Sequence, residues 1–171
     1  MKAKTILLAL ITALLLISGT GCNTVGADSD TVTAFHNNLR ITFELSSRTV
    51  DPGDEITVTV QLRNVSGQPV SMITAVPVLF AFYAMQGETV IPFEGTLFLF
   101  PGIIGSFEIG VGQTHTVTHQ IRVRLQESDP VTGQPVGVPA GTYKLVAVPT
   151  TISINGEPGS LSELSQSFQV R

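Results

Sequence analysis

The sequence predicts an all-β protein, and three observations support this fold class. Apolar and polar residues alternate with a period of two in several runs, which is typical of strands with one buried and one solvated face. Short segments rich in Gly, Pro, Asn and Asp separate these runs. After the first 21 residues, no stretch shows the periodicity of an amphipathic helix. About seven to nine strands at this spacing predict an antiparallel sandwich.

The first residues have the features of an export signal. Lys2 and Lys4 precede an apolar run, residues 6–17, which only Thr12 interrupts. This run is too short for the ~30 Å hydrocarbon core of a membrane and has the length of a signal-peptide core. The small residues that follow it end in Cys22 and resemble the lipobox of bacterial lipoproteins, although Gly19 stands where that motif usually has Leu.

The lipobox resemblance implies that Cys22 receives a diacylglyceryl group and becomes the N-terminus of the exported chain. Residues 1–21 are then a signal peptide, and two or three acyl chains anchor the protein in the cell membrane or outer membrane. An alternative is cleavage after Ala27, at Val25-Gly26-Ala27, which would release a protein without lipid. A third alternative is a buried structural thiol. In both exported forms the chain has no disulfide, so its core must stabilise it alone.

The charge of the chain argues against nucleic acid as a partner. The sequence has 9 Lys and Arg against 13 Asp and Glu, and loss of Lys2 and Lys4 with the signal peptide makes it more acidic. Nucleic-acid binding needs a basic surface that replaces counterions. An acidic surface also gains little from anionic lipid, so we expect membrane attachment to come from the lipid on Cys22.

The elements are predicted in order along the chain. Residues 22–38 are polar, small and aperiodic, and we interpret them as a flexible tether before a sandwich domain of residues 39–171. The turn Asp51-Pro52-Gly53-Asp54 separates the first two strands of this domain. Their predicted buried positions are Ile41, Phe43 and Leu45, followed by Ile56, Val58, Val60 and Leu62.

Further strands follow at similar intervals. The dense apolar run of residues 76–85 predicts a strand buried on both faces, and a turn at Gln86-Gly87-Glu88 leads into residues 90–93. A Pro/Gly-rich loop, residues 128–139, follows a long alternating strand, and Asn155-Gly156 is a strong hairpin signal. The buried positions of the long strand are predicted at Val117, His119, Ile121, Val123 and Leu125, and the later strands at residues 143–148, 152–154 and 168–170.

Three segments follow one another along the chain in an order that resembles a known domain family: VTVQLRNVSGQPVSM, FAFYAMQGETV and VPAGTYKLVA. The first is similar to the Asn-x-Ser/Thr-Gly turn of bacterial immunoglobulin-like domains, and all three resemble intracellular proteinase inhibitor (BsuPI-type) domains. The resemblance covers residues 56–148 and implies an immunoglobulin-like sandwich. That family usually carries Trp in its central region and this chain has none, so the resemblance supports the fold more than it supports inhibition.

Two short motifs are interpreted as structural. Tyr143 follows the turn residue Gly141 by two positions, which predicts a tyrosine corner, where the hydroxyl bonds back to the backbone of the connection. Asn64-Val65-Ser66 matches a glycosylation sequon, and we interpret it as a turn.

Candidate catalytic and metal-binding groups are sparse. His115 and His119 lie four apart on a predicted strand, about 13 Å at ~3.3 Å per residue, which is too far to share one zinc ion. Asp51, Asp54 and Glu55 coincide with a Pro-Gly turn and lack the spacing of a calcium loop. The sequence also lacks a nucleophile elbow and a complete dinucleotide motif. We therefore expect a non-catalytic protein with no metal and no cofactor.

One segment, residues 96–112, is apolar without alternation. Its first part could form a central strand, after which Pro101 and the following glycine place Ile103 and Ile104 at a loop tip. Exposed apolar residues on a turn are typical of a contact surface. We predict a binding site at Pro101, Ile103, Ile104 and Phe107; the alternative is a loop folded over the open end of the sandwich.

The sequence therefore favours a lipid-anchored, non-catalytic protein of the cell envelope whose immunoglobulin-like domain binds another protein or a surface polymer. The alternative is a proteinase inhibitor of BsuPI type, which would present residues 101–106 to a protease cleft.

Overall fold

The computed structural model describes residues 31–36, 38–96, 104–127, 130, 131, 133 and 136–171. The predicted signal peptide, Cys22, Pro101 and Ile103 lie outside this part of the chain. The described residues contain 14 strands and no helix, so they include no helix that could cross a membrane. The predicted antiparallel all-β sandwich is confirmed, with 14 mostly short strands in the described residues in place of the predicted seven to nine.

The strands are numbered along the chain. They are β1 (Thr31–His36), β2 (Leu39–Leu45), β3 (Thr49–Val50), β4 (Glu55–Asn64), β5 (Val70–Thr74), β6 (Phe80–Gln86), β7 (Thr89–Ile91), β8 (Phe93–Glu94), β9 (Gly105–Ile109), β10 (Thr114–Leu125), β11 (Gly141–Pro149), β12 (Thr151–Ile154), β13 (Glu157–Pro158) and β14 (Leu164–Val170).

These strands form three sheets. Sheet A has the order β1-β2-β4-β10-β8, sheet B the order β3-β14-β11-β6-β7, and sheet C the order β13-β12-β5-β9. Among the described strands only β3 and β14 pair in parallel. The chain passes from sheet B to sheet A at Pro92, which lies between β7 and β8. Phe93 of sheet A then packs against Tyr143 and Phe168 of sheet B. The hydrophobic core takes side chains from all three sheets, including Met72 and Ile109 of sheet C.

The predicted facing of the first strands is confirmed. The side chains predicted to be buried in β2 and β4 all belong to one hydrophobic core. Ile121 and Val123 of β10 join them, while Val117 and Leu125 pack against the core in half-buried positions. The turn that starts at Asp51 also forms, with Asp54 N donating to Asp51 O at 3.1 Å.

The predicted start of the domain at residue 39 is wrong. Strand β1 pairs with β2 along its whole length, from Thr31 opposite Glu44 to His36 opposite Leu39. Residues 31–36 therefore belong to the sandwich and not to the predicted tether. The pattern was hard to detect because only the small residues Val32 and Ala34 pack against the core, whereas Phe35, the largest apolar residue of the strand, is 71% exposed.

The predicted turn chemistry holds at the hairpin between β12 and β13. Asn155 has φ 53° and Gly156 has φ 84°. Positive φ at both central residues is the type I′ geometry, whose twist matches that of the flanking strands. The strand predicted for residues 76–85 is shorter than expected, because residues 76–79 are bends and β6 begins at Phe80. Burial on both faces is found only at its start, at Phe80, Ala81 and Phe82.

Candidate functional site

Tyr143 forms the predicted tyrosine corner. Its hydroxyl donates a hydrogen bond to Pro139 O at 2.8 Å. Its ring contacts two phenylalanines, with centroid separations of 5.4 Å to Phe93 and 5.7 Å to Phe168. Burial raises the pKa of the Tyr143 hydroxyl above its usual range. Tyr143 therefore links the loop before β11, at Pro139, to the hydrophobic core, which is a structural role.

Asn64 is buried and organises the turn after β4. Its Nδ2 donates to Gln68 O at 2.7 Å and to Ile109 O at 2.9 Å. Its Oδ1 accepts hydrogen bonds from Ser66 N at 2.8 Å and Ser66 Oγ at 2.7 Å. The amide nitrogen of the sequon is therefore occupied, and the interpretation of this motif as a turn is confirmed.

The two strand histidines point toward the interior and contact aromatic rings. The His119 ring stacks on Phe82 with centroids 5.3 Å apart, and its Nε2 contacts Gly95 O at 2.5 Å. The His115 ring meets Phe107 at an edge, with centroids 5.7 Å apart. Within the described ranges, no three His, Cys, Asp or Glu side chains are grouped so that they could hold a metal ion. Both histidines thus have packing roles here.

The acidic residues of the turn before β4 have structural partners. Asp54 Oδ2 accepts a hydrogen bond from Asp51 N at 2.9 Å. Glu55 Oε2 lies 3.7 Å from Arg122 Nη2, and Glu94 Oε1 lies 3.1 Å from Arg124 Nε. These side chains close a turn and form ion pairs on sheet A.

The predicted contact residues fall in different environments. Ile104 lies directly before β9 and is 73% exposed, which favours a contact surface over a lid on the core for this residue. Phe107 is half-buried on the inner side of β9 and packs against the core. Gly105 and Ser106, which end the proposed inhibitory loop, belong to β9 and pair with Thr74 and Ile73.

Ile104 belongs to an apolar surface that the sequence did not reveal. We call this surface the isoleucine face and define it as Ile73 of β5, Ile104 and Ile152 of β12, which are 40%, 73% and 49% exposed. Ile73 lies opposite Ser106. Ile104 stands two residues before Ser106, directly before β9, so continuation of the strand direction places its side chain on the side of Ile73. Ile152 is the extra residue of a bulge, since Thr151 pairs with Thr74 and Ser153 already pairs with Ile73.

The isoleucine face depends on pairings that are remote in sequence. Ile73 and Ile152 are brought together only because β12 crosses to pair with β5 in sheet C. Each is the single exposed apolar residue of a short strand, and such a pattern indicates the strand but not its neighbours. The only available signal was the outward position of Ile73 in the alternation of β5.

An open groove of about 630 Å³ lies at one end of the sandwich. It is formed by the residue before β2, the turn after β4, the start of β5 and the β12–β13 hairpin. Its lining carries neutral amides and hydroxyls and no charged side chain: Asn38, Ser66, Gly67, Gln68, Pro69, Val70, Ser71 and Asn155. Such groups can exchange hydrogen bonds with a polar, uncharged surface.

Comparisons with known proteins give only distant likenesses. No family model and no curated protein matches the chain. The fold is similar to part of α2-macroglobulin from Escherichia coli, with 16% identity and a TM-score of 0.47 over 80% of this chain and 17% of the other. It is also similar to part of a β-glucosidase from Erythrobacter marinus, with 10% identity and a TM-score of 0.44 over 78% of this chain and 16% of that one.

A third likeness is to an alkylpurine DNA glycosylase from Pseudomonas fluorescens, with 15% identity and a TM-score of 0.40 over 78% of this chain and 30% of the glycosylase. This chain spans less than a third of the length of each of these three proteins. Similarity at this level does not extend to activity.

Proposed function

We propose that this protein is a lipid-anchored, non-catalytic component of a bacterial cell envelope whose sandwich domain binds another envelope protein through the isoleucine face. The observation that carries the proposal is the grouping of Ile73, Ile104 and Ile152 on the outer side of sheet C. Branched apolar side chains held on a paired sheet lose little conformational freedom when a partner covers them.

The polar residues around the isoleucine face suit a protein contact. Ser71, Ser106, Glu108 and Ser153 lie on the same strands and are exposed or half-buried. An apolar centre within a polar rim is the usual anatomy of a protein interface. A surface polymer remains the second type of ligand that the proposed function includes.

The anchor is tested separately from binding. Changing Cys22 to Ser should release the protein from membranes and abolish its labelling with a fatty-acid analogue. The expected result follows from the lipobox resemblance, in which the thiol carries the lipid. If the variant stays membrane-bound and the wild-type chain is never labelled, the anchor is disproved.

Binding is tested with the double variant Ile73→Ser and Ile104→Ser. Ile104 is 73% and Ile73 40% exposed, so we expect a loss of stability of only about 1–2 kcal/mol, most of it from the covered part of Ile73. Capture of an envelope protein from extract should weaken by more than about 1 kcal/mol, the usual effect of a contributing interface residue. The captured species is then identified, and a proteinase among them would support the inhibitor alternative instead.

Val90→Ser is the matched control. Val90 is an exposed apolar residue on β7 at the edge of sheet B, away from sheet C. Its loss should leave capture unchanged. Equal weakening by the control and the double variant would show that capture follows general surface hydrophobicity, and the isoleucine face would not be the binding site.

A further inference from the structure

Two arginines lie directly opposite each other on the outer face of sheet A. Arg40 of β2 pairs in register with Arg63 of β4, and both are exposed. Side chains directly opposite in an antiparallel pair have Cβ atoms about 4.5–5.5 Å apart, so like charges there destabilise the sheet. The fold therefore accepts a local repulsion at this position.

The neighbouring residues of the same row do not relieve this repulsion. The row runs from Phe35 of β1 through Arg40 and Arg63 to Thr114 of β10. Both flanking side chains are uncharged. Arg122 and Arg124 form ion pairs at the other end of this face, whereas no ion pair of Arg40 or Arg63 is found among the described residues. An anion between the two guanidinium groups would convert the repulsion into attraction.

The row also offers an aromatic surface. Phe35 is 71% exposed beside Arg40, although exposure of a large aromatic ring is unfavourable for an isolated domain. The flat face of such a ring can cover the apolar C–H face of a sugar. The Arg guanidinium beside it can bind a carboxylate with two parallel hydrogen bonds.

The polar groove adjoins this row. Leu39 pairs with Asn64, and the Arg40–Arg63 pair is the next one along the same two strands. Asn38, which lines the groove, is bonded to the turn after β4 through its carbonyl, since Val65 N donates to Asn38 O at 2.9 Å. The groove thus begins at the end of the two strands that carry the arginines.

The groove has hydrogen-bonding groups suited to hydroxyls. Asn155 Oδ1 accepts a hydrogen bond from Ser71 N at 3.0 Å, which orients the Asn155 side chain with its NH2 group as the remaining donor. Asn38 and Gln68 add further exposed amides, which donate and accept. A ligand rich in hydroxyl groups can pair with these amides without any charge on the groove.

We propose that Arg40, Arg63 and Phe35, together with the adjoining groove, bind an acidic polysaccharide that carries carboxylate groups on its sugars. The arginines bind the carboxylates, the Phe35 ring covers a sugar face, and the groove amides bind hydroxyls. A membrane surface suits the site less well because adsorption to anionic lipid usually takes a cluster of four to eight basic residues. This site uses side chains other than those of the isoleucine face and does not depend on the proposed anchor.

The test uses the full-length chain purified from cells in detergent and polygalacturonate as the probe, with binding measured by titration calorimetry. Fully methyl-esterified polygalacturonate has the same backbone without the charges and serves as the control polymer. We expect the wild type to bind the acidic polymer and not the ester. Arg40→Gln with Arg63→Gln should weaken that binding at least tenfold, and Phe35→Ser should weaken it severalfold.

Lys144→Gln with Arg171→Gln removes the same charge at two exposed positions elsewhere and should leave binding unchanged. The arginine variants should melt at the same or a slightly higher temperature than the wild type, because the like-charge pair is gone. The melting temperature of each variant therefore distinguishes a loss of binding from a loss of folding.

Five outcomes would overturn the proposal. The first two are no binding of polygalacturonate by the wild type and equal binding of the ester. The next two are unchanged binding by the Arg40 and Arg63 variant and equal weakening by the Lys144 and Arg171 control. The last is displacement of the polymer by mixed micelles of detergent and phosphatidylglycerol but not by those with phosphatidylcholine. The last outcome would mean that the row of Phe35, Arg40, Arg63 and Thr114, the arginine row, binds an anionic membrane. None of these results depends on Cys22 or on the isoleucine face, so failure here leaves the proposed function standing.

Discussion

Replacing Tyr143 by Phe removes one hydroxyl from the core and leaves the ring. The ring contacts with Phe93 and Phe168 stay, so no large cavity forms. The change removes the 2.8 Å hydrogen bond to Pro139 O. A hydrogen bond of this kind contributes about 0.5–1.5 kcal/mol net, and the abandoned carbonyl can reach water because Pro139 is exposed. We expect a loss of about 1 kcal/mol, which lowers the melting temperature by roughly 3–5 °C for a domain of this size.

The same variant should change how stability depends on high pH. Burial raises the pKa of Tyr143 in the folded protein above its unfolded value of about 10. The folded state therefore holds this proton more tightly than the unfolded state, and the stability linked to it is fully present below pH ~10 and is lost as the pH rises through the folded-state pKa. Tyr143→Phe has no such proton, so its stability should fall less steeply above pH 10.

The assay is thermal denaturation followed by circular dichroism at pH 7 and at several values above pH 10. Tyr83→Phe is the control, because Tyr83 is half-buried and its pKa is raised by burial and by Glu163, but it forms no corner. It should melt close to the wild type at pH 7. Identical melting of Tyr143→Phe and wild type at pH 7 would refute the stabilising role of the corner, and identical alkaline profiles would refute the assigned pKa direction.

Three further predictions concern the fold. Asn64→Asp places a carboxylate against two carbonyl oxygens that now accept from Nδ2, so we expect a loss of about 3–5 kcal/mol in denaturant titrations; a loss below 1 kcal/mol would contradict the assigned bonds. Val58→Asp should abolish cooperative folding measured by circular dichroism. Thr57→Asp, on the other and half-buried side of the strand, should cost only about 1 kcal/mol. Gly95 has a φ of 87°, and a Cβ added there would lie 2.5 Å from a backbone oxygen of β10. Gly95→Ala should therefore destabilise the protein more than Gly112→Ala, where φ is 69° and the space around the Cβ is open. Equal melting temperatures of the two variants would show that the backbone of β10 moves away without cost.

The parts of the fold that the sequence predicted best are the long strands with one buried face. In β4 every second residue from Ile56 to Asn64 is buried, and the strand has partners on both sides in sheet A. A central strand cannot slip by one residue without exposing its whole apolar set. Alternation alone therefore determines which side chains enter the core, and local turn chemistry determines where the strand ends.

Prediction failed where a strand contributes little to the core. Strand β1 buries only small apolar groups and turns Phe35 outward, so the apparent pattern of its sequence is that of a polar tether. Its register with β2 comes from backbone hydrogen bonds and the short connection at Asn38, whose φ is 66°. The same exposure of Phe35 that hid the strand creates the aromatic end of the arginine row.

Both proposed surfaces were beyond sequence analysis for a common reason. Ile73 meets Ile152, and Arg40 meets Arg63, through pairings between strands that are separate in sequence. An alternating pattern shows that each side chain points outward but not which outward side chains become neighbours. Strand order and register supply that information, and they follow from long-range pairing rather than from local residue types.

The register also shows how the two surfaces are connected. Ser71, which lines the groove beside the arginine row, and Ile73 of the isoleucine face lie on the same side of β5, about 6.6 Å apart at ~3.3 Å per residue. We expect the arginine row and the isoleucine face to bind their ligands independently. The effects of Arg63→Gln and Ile73→Ser on the binding free energy of each ligand should then add within about 0.5 kcal/mol. A coupling energy beyond that in a double-mutant cycle would mean that one ligand contacts both ends, since the side chains themselves lie on different sheets. Additive effects would instead mean that each ligand contacts only one of the two surfaces.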